Sequence, residues 1–345
     1  TALRVALDAQ LAIGTATGIG EYVRGLADAL RDDPEIELVK LCEPSLDPWR
    51  FDRRIWWDQV LLPRRAARAH AAVLHCASGT VPFASPLPVV ATVHDVAWLC
   101  VQAHAPAYAR YYFGRFSLDR YRTVARIAVD SEFSRGELLR VLGDYDPARV
   151  HVVYPGVADD FCTLERRAGD GRTILIVGTV ERRKNLDALV RLLPELPGAR
   201  ILSVGPPTRY RNECAVIARR LGVADRVEFR GYVERRELLD LYASCAVVAV
   251  PSHYEGFGYA AAQALCAGTP CIVSDRGALP EVVGSDAPVV PVENESQWAH
   301  ALRRAMRGDD DARATSVRAA AIDRLSWPAS ARAMRGLYAS VGSVG

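Results

Sequence analysis

Residues 251–270, PSHYEGFGYAAAQALCAGTP, place an acid, a glycine-flanked turn and a helix start in immediate succession. The run 246–250 reads as a buried strand and 260–267 as a helix, so Glu255-Gly256-Phe257-Gly258 sits where strand gives way to helix. The first N–H groups of a helix lack intrahelical partners, and its dipole favours negative charge. With no side chains at Gly256 and Gly258, a phosphate can approach that backbone closely. A diphosphate suits such a pocket. Glu255 and Gln263 are eight positions apart, roughly 12 Å along a continuous helix and on nearly the same face, one polar group for each end of an elongated ligand. A simple capped core helix with Glu255 near its positive end satisfies the same segment.

A second cluster, Gly178-Thr179-Val180-Glu181-Arg182-Arg183-Lys184-Asn185, follows an expected strand and runs into an expected helix. Lys40 and Lys184 are the only lysines among 43 basic residues, so a lysine here invites a specific reason. Lys184 supplies a compact point charge for leaving phosphates, and Arg182 or Arg183 can add bidentate contacts. A solvated charge run is the alternative.

The first segment resembles the E-x7-E region of retaining glycosyltransferases of family four, with Glu255 at the first acid and Gln263 where a second Glu is expected. The second resembles the G-T-[LV]-E-x-R-K-N string of the same family, whose lysine touches the donor diphosphate. Many relatives carry Arg directly after the glycine. Thr179 stands there instead, so part of the charge must come from Arg182 or Arg183. His94-Asp95 closes a strand, and its T-V-H-D string resembles the family's first-domain motif, where the histidine lies beside the donor sugar. Gly231-Tyr232-Val233 ends a strand near the place where relatives hold the nucleobase. Ser131 or Ser134 is suited to cap a helix over 135–142, and 274–281 resembles a further family loop.

Length, composition and charge narrow the classes further. At 345 residues the chain is long enough for two domains, and with 50% apolar and 24% charged residues it has the balance of a soluble protein. A net charge of +2 argues against an extended nucleic-acid footprint. Without an apolar run near twenty residues or a basic-then-apolar leader, the expected location is cytoplasmic. The eight cysteines, at 42, 76, 100, 162, 214, 245, 266 and 271, form no CxxC pair and read as reduced core residues, with neither zinc nor a disulfide framework supported. The stretch 53–65 mixes aromatic and basic residues. That pattern suits peripheral contact with an anionic bilayer, at the inner face of the membrane, and equally a buried helix flanked by solvated arginines.

These residues need elements to position them. Strands are expected at 3–7, 36–41, 73–75, 89–93, 126–129 and 150–153, then at 173–177, 200–204, 226–229, 246–250 and 271–273, alternating with helices. Alternation of this kind implies parallel sheets with helices on both faces. Gly14-x-x-x-Gly18-x-Gly20 follows the first strand. Its spacing is not G-x-G-x-x-G, which disfavours a nicotinamide site and a Rossmann dehydrogenase. Two readings remain for Gly18 and Gly20: a loop that lets a phosphate or acceptor approach, or a plain strand-to-helix turn. The expected division is an acceptor domain at 1–157, a polar linker at 158–172, a nucleotide-sugar domain at 173–325 and a terminal helix at 326–345. The resemblance implies that this helix, opened by Ser326-Trp327-Pro328, crosses back to the first domain.

The fold so implied is α/β of the GT-B type, two Rossmann-like doubly wound domains facing a central cleft. The activity implied is metal-independent transfer of a hexose, with retention, from a GDP-, UDP- or dTDP-linked donor to a hydroxyl acceptor, with no other cofactor. Asp32-Asp33, Asp159-Asp160 and 309–311 fall in expected loops and supply no metal site. In the family's mechanism the departing phosphate takes the acceptor proton, Glu255 grips sugar hydroxyls and His94 lines the opposite wall. A carboxamide at 263 offers one acceptor oxygen where a carboxylate offers two, which predicts weaker ribose discrimination and admits a deoxythymidine-linked sugar, whereas the resemblance points more to GDP-mannose-like or UDP-hexose donors; the nucleotide stays open. A hydrolysing nucleotide-sugar epimerase and a catalytically silent sugar-nucleotide binder share the architecture.

Overall fold

Short apolar runs buried on both faces are what inner parallel strands require, and the described residues hold twelve strands, of which Ile36–Leu41 and Val227–Gly231 are only partly buried. The computed structural model describes residues 2–13, 18–97, 108, 111–167 and 169–342. Contacts divide the chain into unit 1, Thr1–Gly156 with Ser326–Gly345, and unit 2, Val157–Leu325.

Unit 1 carries β1 (Leu3–Asp8), β2 (Ile36–Leu41), β3 (Val73–Cys76), β4 (Val89–Val93), β5 (Arg126–Val129) and β6 (Val150–Val152), in the order β2-β1-β3-β4-β5-β6. Unit 2 carries β7 (Thr173–Val177), β8 (Arg200–Val204), β9 (Val227–Gly231), β10 (Val247–Val250), β11 (Cys271–Ser274) and β12 (Val289–Val290), in the order β12-β11-β10-β7-β8-β9. The pairings are parallel. Helices return the chain between most successive strands, a loop joins β3 to β4, and β4 and β10 are buried at every position. The order reverses between β1 and β3 in unit 1 and between β7 and β10 in unit 2. In open α/β sheets such a reversal opens a crevice at the strands' carboxyl ends.

The stretch 158–172, expected as a linker, is instead packed onto unit 2. It contains the helix Asp159–Cys162, whose fully buried Phe161 meets Tyr242 edge-on at 5.0 Å. Arg166 caps the carbonyls of Ala243 and Cys245, each at 2.8 Å. Its polar composition hid this packing, because arginines can satisfy buried carbonyls from the surface. The acid pairs at 159–160 and 309–311 are not all loop either: Asp159 and Asp160 open that short helix, and Asp311 opens Asp311–Arg324. β12 and the helices Glu295–Met306 and Asp311–Arg324 are additions to the sequence-based outline.

The terminal helix Trp327–Gly342 contributes Met334, Leu337 and Tyr338 to the core of unit 1. The Tyr338 hydroxyl meets His75 Nδ1 at 2.7 Å. Within 53–65 the buried alternative holds for one face: Trp57 is fully buried and Arg54 donates to Asp58 at 2.9 Å, while Trp56 stays exposed. Ser131 is the cap of the helix Glu132–Leu142, its hydroxyl accepting from Ser134 N at 3.0 Å.

Candidate functional site

β7 and β10 lie side by side, with Val247 beside Ile174 and Val248 beside Leu175. The loops leaving their carboxyl ends therefore meet at the reversal of strand order. Asn185 fixes the meeting. It adopts a left-handed backbone (φ 56°, ψ 37°) that asparagine tolerates, and its Nδ2 donates to Pro251 O at 3.1 Å. His253 N donates to Arg183 O at 2.7 Å. Pinned this way, Lys184 Nζ donates to Glu255 Oε1 at 2.5 Å and Ser252 Oγ donates to the same oxygen at 2.7 Å. Arg183 Nη1 donates to Glu255 Oε2 at 3.2 Å and to Tyr254 O at 3.0 Å. Arg183 Nε also pairs with Glu181 at 2.7 Å.

Glu255 is buried at 6% exposure. Burial pushes its carboxyl up, but the charges of Lys184 and Arg183, with hydrogen bonds from Lys184 and Ser252, outweigh it and hold the group below its ordinary value. Two cations are balanced by two carboxylates. An ammonium carries three donors, so Lys184 keeps protons beyond the one given to Glu255.

Gly258 starts the helix Tyr259–Ala267 with φ +100°, and a Cβ there would lie 2.6 Å from Leu279 Cδ2. Only glycine fits both conditions. The N–H groups of Ala261 and Ala262 both reach Gly258 O, so the helical ladder begins beyond the glycine turn and leaves the earlier N–H groups of the first turn outside it. Gly256 and Phe257 are buried, and Phe257 meets Tyr259 edge-on at 5.2 Å. Glu255 itself precedes the helix, so the 12 Å spacing of a continuous helix does not describe its relation to Gln263.

Gln263 is buried within that helix, and its Oε1 accepts from the Tyr242 hydroxyl at 3.0 Å. Arg182 is not brought to the cluster. It is exposed, pairs with Glu213 and lies over the Tyr210 ring at 5.6 Å, which leaves Arg183 as the arginine beside Lys184. Thr179 is half-buried in the loop leaving β7. Tyr232 and Val233 follow the edge strand β9, Tyr232 exposed and Val233 buried, on the same carboxyl edge of the sheet but two strands from β7.

In unit 1, Gly18 and Gly20 lie in the first turn of the helix Gly18–Ala29. A Cβ on Gly20 would lie 2.6 Å from Leu11 O, a packing reason for glycine that favours the turn reading. Gly14 lies outside the described residues. His94 follows β4, with Nδ1 2.7 Å from Asp130 Oδ2 and Nε2 2.9 Å from Ala77 O. Both ring nitrogens thus face oxygens of the protein. Burial pushes the His94 imidazole down, but the Asp130 charge and hydrogen bond, the Ala77 carbonyl and Asp95 outweigh it and raise it.

One group of polar residues had no motif to announce it. At the β1/β3 reversal, Asp8 accepts from Trp57 Nε1 at 2.9 Å and from Ser78 Oγ at 2.7 Å. Arg54 reaches Thr80 Oγ1 at 2.7 Å, and Tyr112 donates to Asp58 at 2.9 Å. Asp58 Oδ1 is buried without a partner among the described residues, and burial, opposed by the Arg54 charge, raises this carboxyl. The legible signals were an acid closing the first strand and the i,i+4 spacing of Arg54 and Asp58.

Residues 17–161 match the family described as Glycosyltransferase Family 4, and residues 165–321 match Glycosyl transferases group 1. The chain is 36% identical over 279 residues to a D-inositol 3-phosphate glycosyltransferase of Xylanimonas cellulosilytica, across 73% of this chain and 66% of the relative. It spans about half to two thirds of the length of the curated relatives it matches. Among solved structures, a sucrose-phosphate synthase of Thermosynechococcus elongatus superposes with TM-score 0.74 at 19% identity, covering 99% of this chain and 100% of the other. HepE of Anabaena in complex with UDP-glucose gives 0.72 at 16%, covering 98% and 100%. These likenesses show a GT-B fold of two Rossmann-like units, and with both units matched the chain belongs to glycosyltransferase family four.

Proposed function

We propose that this protein is a retaining glycosyltransferase that moves a hexose from a nucleoside-diphosphate sugar to a hydroxyl acceptor without a metal ion. The observation that carries the reading is the Lys184–Glu255 pair, joined by Arg183, at a strand-order reversal beside a glycine-opened helix start. The donor diphosphate takes its place over Gly256, Phe257 and Gly258. There Lys184, Arg183 and the first-turn N–H groups meet the charge that grows as the glycosidic bond breaks. Transfer proceeds on one face of the sugar: the acceptor oxygen bonds to the anomeric carbon as the phosphate oxygen leaves, and that oxygen takes the acceptor proton. Glu255, already held by two cations, anchors sugar hydroxyls and acts as no nucleophile. His94 is no general base in this reading, since both its nitrogens are engaged.

The name of the Xylanimonas relative supports a polyol hydroxyl as acceptor, and the UDP-glucose bound to HepE supports UDP-hexose as donor, with GDP- and dTDP-hexose as the comparison. In the same reading the enzyme works in the cytoplasm against the inner face of an anionic membrane. Exposed Trp49, Trp56, Phe83, Tyr108 and Tyr111, with Arg120 over the Phe83 ring at 4.9 Å, support that contact. No helix among the described residues is long and apolar enough to cross a membrane.

The test is thermal stabilisation by UDP, GDP and dTDP, then turnover of the matching hexose donor with polyol acceptors, with the product anomer read by NMR and EDTA present. Product of the donor's own configuration, formed despite EDTA, is expected. Indifference to every nucleoside diphosphate, an inverted product, or donor conversion with no acceptor present would overturn the reading. Vesicle flotation that is unchanged by Trp56→Ala with Phe83→Ala would remove its membrane part.

A further inference from the structure

Unit 2 holds a second concavity, apart from the loops that meet at β7 and β10. A cavity of about 470 Å³ lies against β12, the outer strand of the sheet and two places from β10 in the strand order. Pro288 and Val290 form one wall, and the helix Glu295–Met306 forms another. Gln297, His300, Ala301 and Arg304 of that helix line the cavity at the i, i+3, i+4, i+7 spacing of a single helical face. Trp298, Ala299, Leu302 and Ala305 pack instead into the core. Asp310 and Arg313, from the cap and first turn of Asp311–Arg324, close the third side.

Burial separates an apolar floor from a polar rim. Val290 and Ala301 are buried, whereas Gln297, His300, Arg304 and Arg313 are exposed. Arg304 Nη2 donates to Asp310 Oδ1 at 3.0 Å. Asp310 is itself 7% exposed, and its carbonyl accepts from Ala314 N at 3.0 Å, so the helix start fixes the carboxylate that holds Arg304. Arg313 Nη2 donates to Ser285 O in the loop ahead of β12. Each contact engages one nitrogen of a guanidinium that carries five N–H donors. Two guanidinia against one carboxylate leave a cation in excess. Asp309 and Asp286 do not cancel it, because they hold Arg307 at 2.8 Å and Arg324 at 2.9 Å. The side chains of Gln297 and His300 have no hydrogen-bond partner among the described residues.

We propose that this cavity binds a small organic oxyanion, a carboxylate or phosphate monoester on a compact apolar body, at a site separate from the donor cradle. The volume lies in the range of small-molecule sites. Arg304 and Arg313 meet the oxyanion with charge-assisted hydrogen bonds, and the apolar body covers Val290 and Ala301. An ammonium would face two guanidinia. A neutral apolar ligand would strip water from them and give nothing back, while a bare anion would leave the floor wet and forgo the gain of covering it.

The experiment is isothermal titration calorimetry with UDP in excess, using phenyl phosphate and benzoate as probes and inorganic phosphate and benzyl alcohol as comparisons. One equivalent of phenyl phosphate or benzoate is expected to bind, the tighter of the two naming the head group, with inorganic phosphate and benzyl alcohol at least about tenfold weaker. Arg313→Gln and Arg304→Gln should each weaken the probe by about tenfold or more, the scale of one lost hydrogen bond to a charged group. Arg304→Gln also removes the partner of a buried carboxylate, so Arg313→Gln, at an exposed position, carries the test if that variant fails to fold. No binding of either probe, loss of binding when UDP is added, undiminished affinity in Arg313→Gln, or inorganic phosphate binding as tightly as phenyl phosphate would overturn the proposal. No sugar is transferred in the measurement, so its failure leaves the glycosyltransferase reading intact, and failure of that reading leaves this site standing.

Discussion

Lys184 Nζ lies 2.5 Å from Glu255 Oε1, a contact made across 71 positions of sequence because β7 and β10 are adjacent parallel strands. Without a donor the carboxylate already occupies the ammonium, so diphosphate binding adds anions to a balanced cluster. Lys184→Ala is expected to lower kcat by about 10² to 10³, the scale of one lost stabilising donor. Arg182→Ala, whose side chain turns toward Glu213, should leave kcat within a few-fold and stability within about 0.5 kcal/mol. Steady-state kinetics with a UDP-hexose, beside circular dichroism of each variant, separate the two. Undiminished turnover in Lys184→Ala would remove the proposed role.

Glu255→Gln removes a charged acceptor from Lys184, Arg183 and Ser252. A stability loss of about 1.5 to 3 kcal/mol near neutral pH is expected. Because the folded carboxyl lies below its ordinary 4.5, its contribution is fully present above pH 4.5 and is lost as pH falls through the folded value. The gap between wild type and variant should therefore narrow in acid. Urea unfolding at neutral pH and below pH 4.5 measures it, and a gap that widens in acid contradicts the pairing.

The His94–Asp130 pair predicts the opposite slope. His94 is raised above 6.5, so its contribution is present below pH 6.5 and fades as pH rises through the folded value. Asp130→Asn should lose the most stability in mildly acidic buffer and least in alkaline buffer. Asp95, His75 and the Tyr22 ring, 4.7 Å from His94, are unchanged in the variant and form its control surroundings. A melting-temperature difference independent of pH would show that the proton is not held on His94.

Gln263 presents a carboxamide whose oxygen already serves Tyr242. Wild type should be stabilised similarly by UDP and by its 2′-deoxy counterpart, and Gln263→Glu should shift preference toward the ribose form by roughly tenfold, the scale of one hydrogen bond to a charged group. Calorimetry with the two nucleotides decides. A strong ribose preference in wild type would remove the idea.

Gly258→Ala sets a Cβ 2.6 Å from Leu279 at φ +100°. Strain of about 1 to 3 kcal/mol is expected, together with loss of stabilisation by nucleoside diphosphates, because the first helical turn must shift. Chemical denaturation with and without nucleotide tests both. Intact nucleotide binding would place the cradle elsewhere.

Strands such as β4 and β10 were legible because parallel strands buried on both faces must be apolar along their length. The glycine turn before Tyr259 and the cations before Asn185 were legible because a strand's carboxyl end followed by a helix start has a local signature. The packing of 158–172 was not, since one Phe161 and a few arginines do the burying inside a polar stretch. Neither was the Asp8, Arg54 and Asp58 network, whose members share no motif.

The amino-acid order by itself determined which residues end strands and open helices, because periodicity and turn chemistry act over a few neighbours. Strand order decided the rest. Placing β10 against β7 chose Arg183 over Arg182, gave Glu255 to Lys184 and buried Gln263 against Tyr242. Those choices depend on side chains far apart in the chain competing for the same buried space and charge, which only the packed sheet can settle.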